Sequence, residues 1–499
     1  MSPKPLRLKP LRTIGSALAL TMLAPAVAAA GPLNSAGTGD PAHFVVVGPE
    51  HGGLERTAAS VRAANGEVVQ SWPEIGVLLA TSRDSEFASE VRGDPGVRAA
   101  GASRNLAEQL PENNGESGSE TLEKRRGTLA ADSATRSSED GEEPLAAEQW
   151  DMRMINADEA HENSDSGEGV TVGVLDSGID PDHPDLAANL DAGRSVGCTE
   201  NGTPDPSRQA WAPTNSGHGT HVAGTVAAAN NGVGISGVAP NATLVSIKVV
   251  NDEGFIYPGS AICGFMWAAE HGVDVTNSSY FIDPWYLWCQ RDPDQAAVAE
   301  AVRRAVAYAR GNDVLNVVAA GNSNWNLSKR IHDTNSPNNG GPTEDRWTGN
   351  GCQVLPGELP GTVTVSAVGP ESGKSFYSNY GIGSVDVAAP GGDSRQTADT
   401  PSGNGAVLST LPDGEYGFYQ GTSMASPHVA GVAALIRAEH PHWNARMVNA
   451  ALRWQADTVP CPKSYDTDGD GEDDAKCRGG RTGAGFYGAG IVDALNAVR

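Results

Sequence analysis

Basic side chains are scarce in this 499-residue chain: 35 Lys and Arg stand against 61 Asp and Glu, a formal net charge of −26. A binder of nucleic acid or of an anionic membrane needs a cationic face. No basic block beyond the amino-terminal stretch supplies one. Cysteine is sparse too: Cys198, Cys263, Cys289, Cys352, Cys461 and Cys477 make the full set, all after residue 150. No C-x-x-C pair occurs among them, which removes support for a zinc knuckle or a thioredoxin-type site. Apart from one run near the start, no apolar stretch is long enough to span a bilayer. Internal repeats are absent as well, which argues against a solenoid.

The one long apolar run has a particular setting. Lys4, Arg7, Lys9 and Arg12 precede it, it extends from Ile14 to Ala30, and Ala28-Ala29-Ala30 stands before Gly31. A positive start, an apolar middle and an A-x-A end describe a signal peptide over residues 1–30. The expected location is therefore secreted and extracellular, where disulfides are permitted. Six cysteines allow fifteen pairings. Cys461–Cys477 is the preferred pair because it brackets a short polar insert. Cys263–Cys289 comes next, which leaves Cys198–Cys352.

Three regions follow the signal. Residues 43–105 alternate strand and helix signals: strands at 44–47, 66–72, 75–80 and 97–100, helices at 54–64 and 85–91. That order, strand-helix-strand-strand-helix-strand, predicts a small α+β ferredoxin-like plait. Residues 106–149 hold eleven acidic and four basic residues and few apolar ones, the composition of a flexible linker. Residues 150–499 turn α/β. Short β-rich runs at 169–175, 244–250, 273–278, 315–319 and 362–368 are separated by helical stretches at 219–229, 259–271 and 295–309. The expected architecture is a three-layer fold with a largely parallel central sheet covered by helices.

Three motifs in this region carry chemistry. Val172-Gly173-Val174-Leu175-Asp176 is an apolar strand that delivers a carboxylate to its carboxyl end, where α/β proteins place their chemistry. Ser216-Gly217-His218-Gly219-Thr220-His221 sets an imidazole between glycines. The His218, His221 pair lacks a third ligand for a metal site. Gly421-Thr422-Ser423-Met424-Ala425-Ser426-Pro427 puts a serine at a helix start, where free N–H groups and a partial positive charge favour an adjacent anion. Ser423 lacks the Gly-x-Ser-x-Gly elbow of a lipase. The fourth candidate is Asn322, after the apolar run Val317-Val318-Ala319-Ala320-Gly321, whose amide can meet a developing oxyanion beside the Ser423 N–H.

Together the Asp-Ser-Gly, His-Gly-Thr-His-Val-Ala-Gly-Thr and Gly-Thr-Ser-Met-Ala-Ser-Pro-His motifs, in the order Asp, His, Ser, resemble the subtilisin family of serine peptidases. Tyr487-Gly488-Ala489-Gly490-Ile491-Val492-Asp493-Ala494 is similar to that family's closing segment. The resemblance implies a serine endopeptidase with Asp176, His218 and Ser423 as triad. It implies that the plait is a propeptide, an inhibitor and folding assistant of the enzyme. Phe255, Ile256 and Tyr257 become an edge for an extended peptide, and Ser279-Tyr280-Phe281 and Ala319-Ala320-Gly321 the two walls of the primary pocket. Phe281 stands where the family usually has a small glycine, followed by the aromatic insert Asp283 to Trp288. Either a reshaped pocket or an aromatic lid follows. Asp185, Asn231 and the turn to Gly237 resemble the family's strong calcium site. Asp466, Asp468 and Asp470 match the start of an EF-hand loop, but Cys477 replaces the closing Glu. Calcium is thus the expected structural ion, with no cofactor for the chemistry. The expected partners are protein or peptide substrates and the chain's own propeptide, with no nucleic acid, no membrane after processing and a monomeric state. A scaffold of this kind with its chemistry lost would be a binding protein, but all four catalytic candidates are present.

Overall fold

The computed structural model describes residues 41–50, 52–104, 128–129, 143–163, 166–339 and 342–499. The expected signal segment at 1–30 and most of the expected acidic linker lie outside the described residues.

The amino-terminal unit runs β1 (Ala42–Val47), α1 (Leu54–Ala63), β2 (Glu67–Trp72), β3 (Val77–Ser82), α2 (Phe87–Arg92) and β4 (Ala99–Arg104). Its antiparallel sheet has the order β2-β3-β1-β4, the expected plait. Alternation along β1 explains where it sits. Phe44 and Val46 point into the plait's own core with Phe87 and Val61. Val45 and Val47 point the other way and join one apolar cluster with Val298, Val302 and Phe265 of the larger body.

That larger body is built on seven strands: β6 (Thr171–Asp176), β7 (Val196–Gly197), β8 (Thr243–Lys248), β9 (Val275–Ser278), β10 (Leu315–Ala319), β11 (Thr362–Val368) and β12 (Val387–Pro390). The order is β12-β11-β10-β9-β6-β8-β7, and every pairing is parallel. Such a sheet needs helices on both faces. One face is covered by α3 (His218–Ala227), α6 (Thr422–Glu439) and α7 (Ala445–Trp454). The other carries α4 (Pro258–Glu270) and α5 (Pro293–Gly311), on which the plait rests. Helix α5 begins where the sequence tells it to: Asp292 accepts from Asp294 N at 2.9 Å and Gln295 N at 3.1 Å, with Pro293 as first helical residue. Strand β4 lies so close to that start that a Cβ on Gly101 would stand 2.4 Å from Asp294 Cα.

Two further strands, β13 (Val407–Leu411) and β14 (Glu415–Tyr419), form a hairpin against α3. Thr128–Leu129, labelled β5, pairs antiparallel with its outer strand. The end of the linker also departs from its expected character. Leu145 is buried, its N–H donates to Gly234 O at 2.8 Å, and Gln149 bonds Ser236 through its side chain. Residues 143–149 therefore pack on the larger body.

The disulfide pairing needs correction at two of three bridges. Cys461–Cys477 closes as expected. Cys198, just after β7, joins Cys263 of α4, not Cys352. Cys289 joins Cys352, its direct partner in a two-stranded ribbon, not Cys263. Nearness in sequence misled: α4 turns Cys263 toward the sheet edge, away from the insert that follows β9. No helix among the described residues is long and apolar enough to cross a membrane.

Candidate active site

Asp176 ends β6 with its side chain 1% exposed. His218 opens α3, and its Nδ1 lies 2.7 Å from Asp176 Oδ1. The glycine after it is what permits this approach: a Cβ on Gly219 would stand 2.4 Å from Gly178 O and 3.1 Å from Asp176 Cβ. Asp176 Oδ1 also accepts from Ser177 N at 2.7 Å, which fixes the carboxylate. The histidine is thereby held with Nδ1 protonated and Nε2 directed away from Asp176.

Ser423 is the second residue of α6 and is buried. Its Oγ donates to Ser279 O at 3.2 Å, and Ser279 Oγ donates to Ser423 O at 2.9 Å. Helix geometry leaves the Ser423 N–H without an intrahelical acceptor. Asn322 stands beside it. Its Oδ1 accepts from both Thr422 N and Thr422 Oγ1 at 2.8 Å. With the oxygen so engaged, the Nδ2 end is the one left to donate.

His221 has a structural place. It is fully buried, its Nε2 lies 3.2 and 3.1 Å from Val407 O and Gly417 O, and its ring stacks on Tyr419 at 4.5 Å. Burial first, and the neighbouring His218 second, push its pKa down to about 3. A buried pair that sequence reading missed is His428 and Asp151, with Nε2 and Oδ2 3.0 Å apart. No local motif announces it, since 277 positions separate the two.

A cavity of about 380 Å³ opens beside Ser423, between Ser279-Tyr280-Phe281 on one side and Ala319, Gly321 and Asn322 on the other. Of the two expected walls, Ser279, Tyr280, Phe281, Ala319 and Gly321 line the cavity, and Ala320 is not among its lining residues. Phe281 stacks on Tyr286 at 4.1 Å, Tyr286 meets the edge of Trp325 at 5.7 Å, and all three line the cavity. The expected peptide edge differs. Ile256 lines the cavity, but its N–H donates to Asp283 Oδ2 at 2.6 Å and its C=O accepts from Asp283 N at 2.9 Å. Phe255 N and O are taken by Asn251. Tyr257 lies farther off, under Arg104 of the plait. Asp283 is buried and pushed up to about 7 by desolvation.

The calcium candidates lie apart from the triad. Asp185 is fully buried, and its Oδ2 accepts from Ile235 N at 3.1 Å and Tyr416 Oη at 2.9 Å. Asn231 Nδ2 lies 3.4 Å from Asp185 Oδ1. Glu143, hidden in the supposed linker, joins them: Oε1 accepts from Gly232 N, and Oε2 is buried with no partner among the described residues. Burial, with Glu143 adding repulsion, pushes the Asp185 carboxyl up to about 7. Two carboxylates, an orphaned oxygen and a glycine-rich turn suit a hard cation. Asp466, Asp468 and Asp470 lie together but exposed, with carboxylate oxygens within 4.8 Å of one another.

An oriented Asp–His pair at the carboxyl end of a parallel strand, and a serine at a helix start with an asparagine amide against the same turn, are the parts of a subtilisin-like serine peptidase. The sequence profile of the subtilase family matches residues 167–485, more than half the chain, and the protein belongs to that family. It is 33% identical over 316 residues to an alkaline protease of Alkalihalobacillus alcalophilus, covering 63% of this chain and 66% of that protein. The same identity over 316 residues relates it to subtilisin Savinase of Lederbergia lenta, covering 63% and 94%. A solved protease of Pseudoalteromonas arctica is 30% identical with a TM-score of 0.53, covering 71% of this chain and 97% of that one. The epidermin leader peptide processing serine protease of Staphylococcus aureus shares the fold at 20% identity and a TM-score of 0.68. That likeness covers 92% of this chain and 98% of the other.

Proposed function

We propose that the protein is a secreted serine endopeptidase made as a latent precursor, which hydrolyses peptide bonds in proteins through an acyl-enzyme. What supports this reading is the Asp176–His218 bond at 2.7 Å, together with an Asn322 whose amide oxygen is locked by Thr422, the neighbour of Ser423. His218 Nε2 takes the proton of Ser423 Oγ as the oxygen bonds to the scissile carbonyl carbon. Asp176 stabilises the imidazolium, which then gives its proton to the leaving amine as the C–N bond breaks. Water, deprotonated by the same histidine, cleaves the resulting ester. Asn322 Nδ2 and the Ser423 N–H receive the negative charge that appears on the carbonyl oxygen in both steps.

Latency rests on the docked plait, whose strand β4 ends with Arg104 over the ring of Tyr257. In this reading the plait assists folding, inhibits, and is cut away by a first cleavage between residues 100 and 110. Asp185, Asn231 and Glu143 would hold calcium as a structural ion, which supplies charge neutralisation and no part of the chemistry. The test is S423A. It should be secreted with its plait still attached and show no turnover of a peptide substrate. Turnover near the wild-type rate would end the assignment.

A further inference from the structure

The disulfide-closed loop 461–477 and the turn that carries Asn322 meet at one side chain. Asn324 sits two residues after Asn322 with φ +52°. Its Oδ1 accepts from Lys374 Nζ at 2.8 Å, and its Nδ2 donates to Asp474 O, inside the loop, at 3.4 Å. Lys374 is 1% exposed. Its other two N–H bonds go to Ser375 O at 3.0 Å and Ser378 O at 2.9 Å, so all three donors are used. The rings of Tyr465, Tyr380 and Phe486 surround Nζ at 4.9, 5.2 and 5.6 Å. Tyr465 belongs to the loop and donates its hydroxyl to Lys374 O at 2.9 Å. No carboxylate of the described residues forms an ion pair with this ammonium, and burial pulls its pKa down to about 7.

A charge hidden this way is costly to keep, and its contacts all lead toward the same turn. Just past Ser378, Asn379 Oδ1 accepts from Ser323 N at 3.1 Å and Trp325 N at 2.8 Å, while its Nδ2 donates to Ala320 O. Tyr377 O accepts from Asn324 N at 2.6 Å. The turn from Ala320 to Trp325 is thus gripped by residues 375–379, which Lys374 holds, and by loop 461–477, which Asn324 reaches. Oxyanion donors work only when aimed at the place where charge will develop. Gly321 has φ +98°, so the turn has backbone freedom of its own that something must restrain.

We propose that Lys374 and Asn324 are positioning residues of the peptidase reaction, which fix Asn322 for the transition state with loop 461–477 as their brace. The proposal rests on the oxyanion role of Asn322. Neither residue touches substrate. Their effect passes through the placement of the Asn322 amide.

The experiment measures kcat and KM on a chromogenic peptide for N322A, N324G, K374M, C461S/C477S and the double variant N322A/N324G. Glycine keeps the left-handed backbone at 324 and deletes both side-chain contacts. In N324G, kcat should fall about tenfold, as expected for a displaced catalytic group, with KM within about twofold. In the N322A background the same change should cost less than about twofold, because no amide remains to be aimed. K374M should lower kcat in the same direction. If it fails to fold, as read by secretion and circular dichroism, the N324G cycle decides alone. C461S/C477S, which opens the loop, should also lower kcat, and an unchanged kcat removes the loop from the proposal. An N324G loss equal in both backgrounds, or an unchanged N324G kcat beside a slow N322A, overturns the proposal while the oxyanion reading stands. A fast N322A overturns both.

Discussion

Arg304, in the middle of α5, donates through Nη1 to the carbonyl oxygen of Gly48 in the plait, 3.0 Å away. The same nitrogen reaches Ile75 O at 2.9 Å, and Nε is paired with Glu300 Oε1 at 2.7 Å. The side chain is 5% exposed, so these bonds lie in the seam between plait and peptidase body. R304M keeps the length of the stem and leaves two buried carbonyls without a donor. Each loss of this kind costs about 1–3 kcal/mol. The separated plait, added back to processed enzyme, should therefore inhibit R304M at least about thirtyfold less tightly than wild type. An equal inhibition constant for the two enzymes would mean that the seam in this structure is not the inhibitory contact.

Acid should loosen the same seam. His43 Nε2 accepts from Arg104 Nη2, which also donates to Asn201 Oδ1 at 2.8 Å and lies over Tyr257. Glu200 and Glu253 face Arg104 from the peptidase side. Burial first, and Arg104 second, lower the His43 pKa from 6.5 to about 4. The docked form then binds fewer protons than the released, solvated histidine between about pH 4 and 6.5. By linkage, docking is strongest above that window and weakens as pH falls through it. Inhibition by the plait should weaken from pH 7 to pH 4.5, and H43Q should flatten that slope. A wild-type slope retained in H43Q would assign it to another group.

Calcium removal gives a third outcome. A folded site that binds the ion gains about 2.7 kcal/mol at a hundredfold excess over Kd. Chelator should lower the wild-type melting temperature by several degrees. D185N and E143Q should lose most of that response, and deletion of 466–474 should keep it. Wild-type melting that ignores chelator would remove the Asp185 site.

Much of this architecture was legible because its signals are local. The β6, β8, β10 and β11 runs are apolar enough to read as buried strands, and alternation in residues 43–105 specified the plait. Asp176, His218 and Ser423 stood out as candidates because each sits in a short stretch whose glycines and small residues have a steric reason, as at Gly219. What escaped depends on distance. Val387–Pro390 is a four-residue strand made by its neighbours, with no pattern of its own. The Cys198–Cys263 bridge depends on how α4 packs. Glu143 was read as linker because composition there is acidic, yet its neighbour Leu145 is buried. Lys374 reads as an ordinary surface lysine until Tyr465 and Phe486 close over it.

The aromatic-lined cavity beside Ser423 yields the last prediction. Its floor contains a buried acid, Asp283, which on charge alone would suggest a basic side chain before the scissile bond. Both carboxylate oxygens are already engaged, however: Ile256 N donates to one at 2.6 Å and Asn338 Nδ2 to the other at 2.7 Å. A lysine entering this space would lose its hydration without gaining an open carboxylate. The stacked Phe281 and Tyr286, with Trp325 at their edge, offer flat apolar surface instead. Substrates with Phe or Tyr before the scissile bond should exceed Lys in kcat/KM by about 10–200-fold, the range a shaped apolar pocket delivers. F281G removes one ring of the stack, and an aromatic contact is worth about 0.5–1.5 kcal/mol beyond its area. The preference for Phe over Ala at that position should then fall by about two- to tenfold, mostly through the Phe substrate. A peptide-anilide series on wild type and F281G measures both ratios. A preference for Lys in the wild type would show that Asp283 is free to the substrate, and an unchanged Phe-to-Ala ratio in F281G would show that the ring lies outside the pocket that reads this side chain.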